Sequence, residues 1–93
     1  MLMKVGQIVK STSGRDQGRF YVILSEKNGW FYLAEGKLHK QAAPKKKNPK
    51  HLAPTARMVA VDQTTTDKAL RKMLAAYHTA ALIYSANRGG TQF

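Results

Sequence analysis

"STSGRDQGRFYVIL", Ser11 to Leu24, places two glycines four residues apart around an Arg15-Asp16 pair and then runs into five consecutive apolar residues. Phe20 to Leu24 mixes β-branched and aromatic side chains without a helical period, so it reads as a strand from Arg19 to about Ser25. Upstream, Val5 to Ser13 reads as its partner. Val5, Gln7 and Val9 share one face, Ile8 and Lys10 take the other, and the Ser-Thr-Ser-Gly cluster ends the strand. Downstream, Glu26-Lys27-Asn28-Gly29 is a hairpin turn, because Asn-Gly readily takes the positive φ values of a type I′ loop, and Trp30 to Ala34 returns as a third strand.

Farther along, Lys37 to Ala42 reads as a short fourth strand with Leu38 opposed to Lys37 and His39. Pro44, Pro49 and Pro54 then recur at five-residue spacing, which forbids a helix or a central strand and leaves an ordered loop with at most a helical turn. Arg57 to Val61 reads as a closing strand. Five short strands joined by tight turns predict a small barrel of SH3-like size over residues 1–62, with a basic loop over 37–57. The period then changes. Leu70, Met73, Leu74, Tyr77, Ala80, Ala81 and Tyr84 recur at three- and four-residue steps, marking one face of a helix within 63–90. Thr65 or Thr66 caps its start, Asp67 suits the positive end of its dipole, and Asn87 to Gly90 stops it with Arg88 near the negative end. The predicted class is therefore mainly β with one long C-terminal amphipathic helix, packed on the barrel or extending from it, and a frayed tail at 91–93.

The chain of 93 residues suffices for one packed module and is small for a deep catalytic cavity. Sixteen Lys and Arg against five acids leave a formal charge of +11, which resists self-association and attracts polyanions, nucleic acid ahead of anionic membrane. There is no cysteine, which excludes disulfides, thiolate metal sites and cysteine nucleophiles together. The first residues contain no apolar run of signal-peptide length and the chain none of membrane-span length, so the expected location is cytoplasmic, away from membrane. His39, His51 and His78 have no carboxylate at metal-ligand spacing, and the acids are scattered at positions 16, 26, 35, 62 and 67. Neither an enzyme nor a cofactor or small-molecule substrate is expected.

Between Glu35 and Asp62 no acid occurs, while Lys37, Lys40, Lys45, Lys46, Lys47, Lys50 and Arg57 supply fixed positive charge, interleaved with His39 and His51. Ordinary solvated faces mix both signs, so this tract points to phosphate contact, with lysine suited to backbone attraction more than base reading. Arg15 and Arg19 flank the turn of the opening stretch and are expected to grip backbone or a base edge. Gly14 and Gly18 read as positions where a side chain would obstruct a turn or a neighbour, and Asp16 as an acceptor for loop amides. Of Phe20, Tyr21, Trp30, Phe31 and Tyr32, alternation sends about half into the core. An outward Tyr21, Trp30 or Tyr32 could stack on an unpaired base.

Val5 to Arg19, with Gly18 in the diagnostic position, resembles a KOW motif, in which a strand, a glycine-bounded loop and a second strand bind RNA in ribosomal and transcription factors. Asn48-Pro49-Lys50-His51-Leu52-Ala53-Pro54 is similar to the Asn-x-Lys-His-Leu-x-Pro stretch of a small large-subunit ribosomal protein family of archaea and eukaryotes, number fourteen of the "e" series. The resemblance spans about Val5 to Val61. It implies an SH3-like barrel, ribosomal RNA of the large subunit as partner and no catalysis; residues 64–93 match no motif. The apolar stripe of the helix, with small Ala76, Ala80 and Ala81, is expected to pack on its own barrel, with neighbouring ribosomal proteins as the alternative partner. The competing readings are an SH3-type protein-interaction module, with the charge incidental, and a DNA-binding architectural protein.

Overall fold

Phe20 to Leu24 is apolar without alternation because both of its faces are covered. The computed structural model describes residues 3–90, with side chains through residue 83. Five strands, β1 (Gln7–Ser11), β2 (Phe20–Lys27), β3 (Trp30–Ala34), β4 (Lys45–Lys47) and β5 (Leu52–Met58), precede one helix, α1 (Asp67–Gly90). They form a single antiparallel sheet in the order β4-β3-β2-β1-β5. On one side Tyr21 and Ile23 of β2 join Val9, Phe31, Leu33 and Leu52. On the other, Val22 joins Ile8, Ala34 and Leu70 of α1, with Phe20 and Leu24 packed alongside. β2 is thus a wall shared by two cores, and a fully buried aliphatic side chain such as Ile23 or Leu70 stabilises by about 1.5–3 kcal/mol.

The sheet curls strongly. β4 and β5 are its two edges, which would lie roughly 19 Å apart across four interstrand gaps if the sheet were flat. Only residues 48–51 connect them, and Pro49–His51 is a 3-10 turn that shortens the reach further. The edges must therefore approach each other. Among the described residues four ladders join the five strands in turn from β4 to β5, and the short 48–51 link draws the two edges together as in the small barrel expected.

The hairpin turn falls where expected, with Asn28 at φ 51° and Gly29 at φ 81°, and β3 has the predicted bounds. The fourth strand does not. Residues 37–42 form no strand, because Glu35 gathers them into a tight loop: its Oε1 accepts from the Lys37 and His39 amides at 2.9 and 2.6 Å. β4 instead occupies Lys45–Lys47 inside the proline-spaced tract, pairing Leu33, Tyr32 and Phe31. Pro44 and Pro49 flank it, and Pro54 lies within β5, because prolines are tolerated on edge strands. The closing strand starts at Leu52, five residues earlier than expected, since Leu52 is the side chain that enters the core. β1 is also shorter than predicted. Val5 lies outside it and exposed, and Ile8 and Val9 are both buried, one in each core.

Thr66 caps α1, accepting from the Ala69 amide at 3.0 Å, and Asp67 Oδ1 accepts from the Gln41 amide at 2.8 Å. The helix start is thereby tied to the 35–43 loop. Leu70 is buried, and Met73, Leu74 and Tyr77 pack against the same core. Past Tyr77 the helix leaves the sheet: His78 to Ile83 are exposed, Leu82 at 58% and Ile83 at 56%. Ala80 and Ala81, expected on the packed face, thus face solvent because the sheet ends before the helix does. Its backbone is helical through Gly90, so the Asn87-to-Gly90 stop falls at the last described residues. The expected roles of the Tyr84 and Arg88 side chains, and the tail at 91–93, lie outside the described residues. Among the described residues no helix is long and apolar enough to cross a membrane.

Candidate nucleic-acid interface

The loop between β1 and β2 turns on backbone bonds that need no side chain. The Gly18 amide donates to Ser11 O at 2.8 Å, Ser11 N to Arg19 O at 2.8 Å and Arg19 N to Asp16 O at 2.9 Å. Gly18 holds φ +92° with open space where a Cβ would project. Its requirement is conformational, and the neighbour expected from the sequence is absent. Gly18→Ala should therefore cost only about 1–2 kcal/mol, the left-handed penalty alone, read as a small drop in urea midpoint with unchanged m.

Within this turn the Arg15-Asp16 pair splits. Arg15 is exposed, whereas Asp16 points inward and is only 6% exposed. Its partners are side chains, in place of the loop amides expected. Oδ1 accepts from Ser11 Oγ at 2.9 Å and from the Lys47 ammonium at 2.7 Å; Oδ2 accepts from the Tyr21 hydroxyl at 2.9 Å, and Lys45 Nζ lies 3.5 Å away. Burial opposes ionisation of Asp16, but the bonds from Lys47, Tyr21 and Ser11 and the charge of Lys45 outweigh it and hold the carboxyl well below the usual range. Burial and the adjacent carboxylate push the Tyr21 hydroxyl far up. Tyr21 is consequently a core residue and no base platform. Lys47 Nζ also donates to Ser13 O at 2.9 Å, so β4 is clamped to the loop at two points.

Strand alternation decides what each lysine of β4 does. Lys45 and Lys47 reach Asp16, and Lys47 is only 9% exposed, its charge neutralised. Lys46 takes the other face, its ammonium 4.7 Å from the Trp30 ring centroid. Just beyond, the Asn48 side chain accepts from the Lys50 amide at 3.0 Å and caps the 3-10 turn, which carries Lys50 exposed and His51 half-buried. Gly14, Trp30, Lys46, Asn48, Lys50 and His51 line one shallow cleft of about 430 Å³.

The remaining candidates lie elsewhere. Arg19 and Lys37 are exposed beside Glu35 and Arg71 in a second cleft, and Arg71 Nη1 donates to Gly36 O at 2.6 Å. Arg71 was not among the expected cations, and its place on the polar side of the helix period gave no signal. Lys40 is exposed on the 35–43 loop, and the Arg57 guanidinium lies 5.6 Å from the Tyr77 ring. The tract from Lys37 to Arg57 is therefore divided among at least three places, with Lys46, Lys50 and His51 kept together. Four of the five acids, Asp16, Glu35, Asp62 and Asp67, are engaged by local structure. Asp62 is held low chiefly by the Thr64 hydroxyl and then by backbone amides, and Glu35 and Asp67 accept backbone amides as described. Among the described residues no three His, Asp or Glu side chains gather where a metal ion could be held. No family model and no curated protein matches the chain.

Proposed function

We propose that the chain is a non-catalytic RNA-binding module of the cytoplasm, built like the KOW proteins it resembles and directed to ribosomal RNA of the large subunit. The observation that carries this reading is the Asp16–Lys47 clamp. It fixes a glycine-bounded loop bearing Arg15 against a strand bearing Lys46, although the two are 31 residues apart in sequence. Arg15, Lys46 and Lys50 project from that rigid junction, with Lys45 half-buried behind them. Cations held in place by the fold lose little entropy when they meet phosphate.

Salt dependence tests it. With four phosphate contacts from Arg15, Lys45, Lys46 and Lys50, log affinity for a large-subunit rRNA fragment should fall with log salt at a slope of about −2.8 to −3.6. Arg15→Ala should remove about one contact, flattening the slope by roughly 0.7–0.9 while leaving the unfolding midpoint unchanged. A flat response in the wild type would refute the proposal. Binding to duplex DNA as tight as to structured RNA at equal phosphate concentration would favour the architectural reading, and an acid-rich protein retained after RNase treatment would favour the protein-interaction reading. Sedimentation of lysate at low and high salt then separates a peripheral ribosome-associated factor, released by salt, from an integral subunit.

A further inference from the structure

The β2–β3 hairpin presents a large apolar ring where the fold has no use for it. Trp30 is 37% exposed, more than any other Phe, Tyr or Trp whose side chain is described. Phe31 and Leu33 alternate into the core beneath the sheet, leaving Trp30 and Tyr32 on the outer face, with Tyr32 only half-exposed and paired to Lys46. Trp30 pairs with Lys27 directly after the Asn28-Gly29 turn, so its backbone is held by the hairpin and not by a mobile loop. The cleft it lines contains lysines, His51, Asn48, Ser13 and Gly14 and no acid. Lys45 and Lys47 turn to Asp16, which leaves Lys46, Lys50 and His51 beside the flat ring, a pairing that selects a ligand planar and anionic at once.

We infer that Trp30 is a stacking platform for one unpaired base of an RNA strand, with Lys46, Lys50 and His51 receiving the phosphates on either side. The inference rests on the RNA-binding reading above and narrows it from RNA in general to an unpaired nucleotide. Duplex RNA buries the faces of its bases against one another, whereas a loop, bulge or end offers a free π face to an aromatic side chain. Lys46 covers the ring in the free protein. Its exposed, flexible stem lets the base displace the ammonium from the ring and carry it to the adjoining phosphate, so the cation–π contact is exchanged for a stronger charge-assisted one.

The single tryptophan of the chain makes the test direct, because intrinsic fluorescence reports this site alone. The full chain is titrated with a mixed-sequence single-stranded RNA of about ten nucleotides and, separately, with the same sequence as duplex. The single strand should quench Trp30 saturably, and the duplex should leave it nearly unchanged. By anisotropy of labelled RNA, Trp30→Ala should weaken single-strand binding by roughly 5- to 100-fold, Trp30→Phe should restore part of it, and duplex binding should change less than about twofold. Single-strand affinity untouched by Trp30→Ala, or equal quenching by duplex, would overturn the inference while leaving RNA binding intact. No binding of the wild type to either form at low salt would instead refute the RNA-binding reading itself.

Discussion

Asp16→Ala is expected to destabilise the protein by about 3 kcal/mol or more, because it strands the Lys47 ammonium inside the fold with its carboxylate gone and takes the carboxylate acceptor from the Tyr21 hydroxyl and from Ser11 Oγ, which keeps Ser13 O. For a chain of this length that corresponds to a fall in Tm of at least about 12 °C. Adding Lys47→Met removes the uncompensated charge at similar volume, and the double variant should recover more than about half of the loss. A double variant no more stable than Asp16→Ala would show that the cost lies in the hydroxyls and not in the ion pair.

Acid supplies an independent check. The folded carboxyl is held below its ordinary value, so its contribution is complete above about pH 4, where the unfolded carboxylate is also ionised, and it fades as the pH falls toward the folded value. The stability gap between wild type and Asp16→Ala should therefore be constant from pH 7 to about 5 and narrow below about pH 4. A gap that stayed constant down to pH 2 would mean that the ionised form of Asp16 is not what stabilises the loop.

Gly36→Ala is expected to cost about 2–5 kcal/mol, combining a left-handed backbone with a collision against the first turn of α1. Gly36 has φ +87°, and a Cβ there would meet the carbonyl of Asp67 and approach Arg71 Cγ to 2.9 Å. Gly18 supplies the control, since its φ of +92° carries the same conformational penalty with no neighbour within 4 Å. The Gly36 variant should lose at least about 1 kcal/mol more than Gly18→Ala in urea unfolding. Equal losses would show that the start of the helix shifts to make room at little cost.

Local signals carried much of the fold. The apolar run Phe20–Leu24, the Asn28-Gly29 turn and the three- and four-residue steps from Leu70 to Tyr77 each state their element through backbone preference or periodicity, and each lies where it was read. β4 was illegible because three lysines between prolines contradict strand preference; only pairing with β3 makes them one. The same tertiary event decided the candidate site. In sequence Lys45, Lys46 and Lys47 are equivalent charges, and only alternation against the inward Asp16 separates Lys47, buried and neutralised, from Lys46, free beside Trp30. Glu35 is similar: a lone acid at a strand end gives no hint that its side chain will gather two amides and abolish a neighbouring strand.

The two edges of the curled sheet have a further meaning for how the protein survives before it meets a partner. An edge strand with unpaired amides and carbonyls is a template on which another chain can add a strand and begin to aggregate. Here β4 guards one edge with the exposed Lys46 and the half-buried Lys45, and Pro54 in β5 removes an amide from the other. The charge proposed to meet RNA phosphates would thus also keep copies of the protein apart in free solution. Stripping those lysines to abolish binding would open an edge to self-pairing at the same stroke, and a variant made that way would be lost to precipitation rather than to weakened recognition.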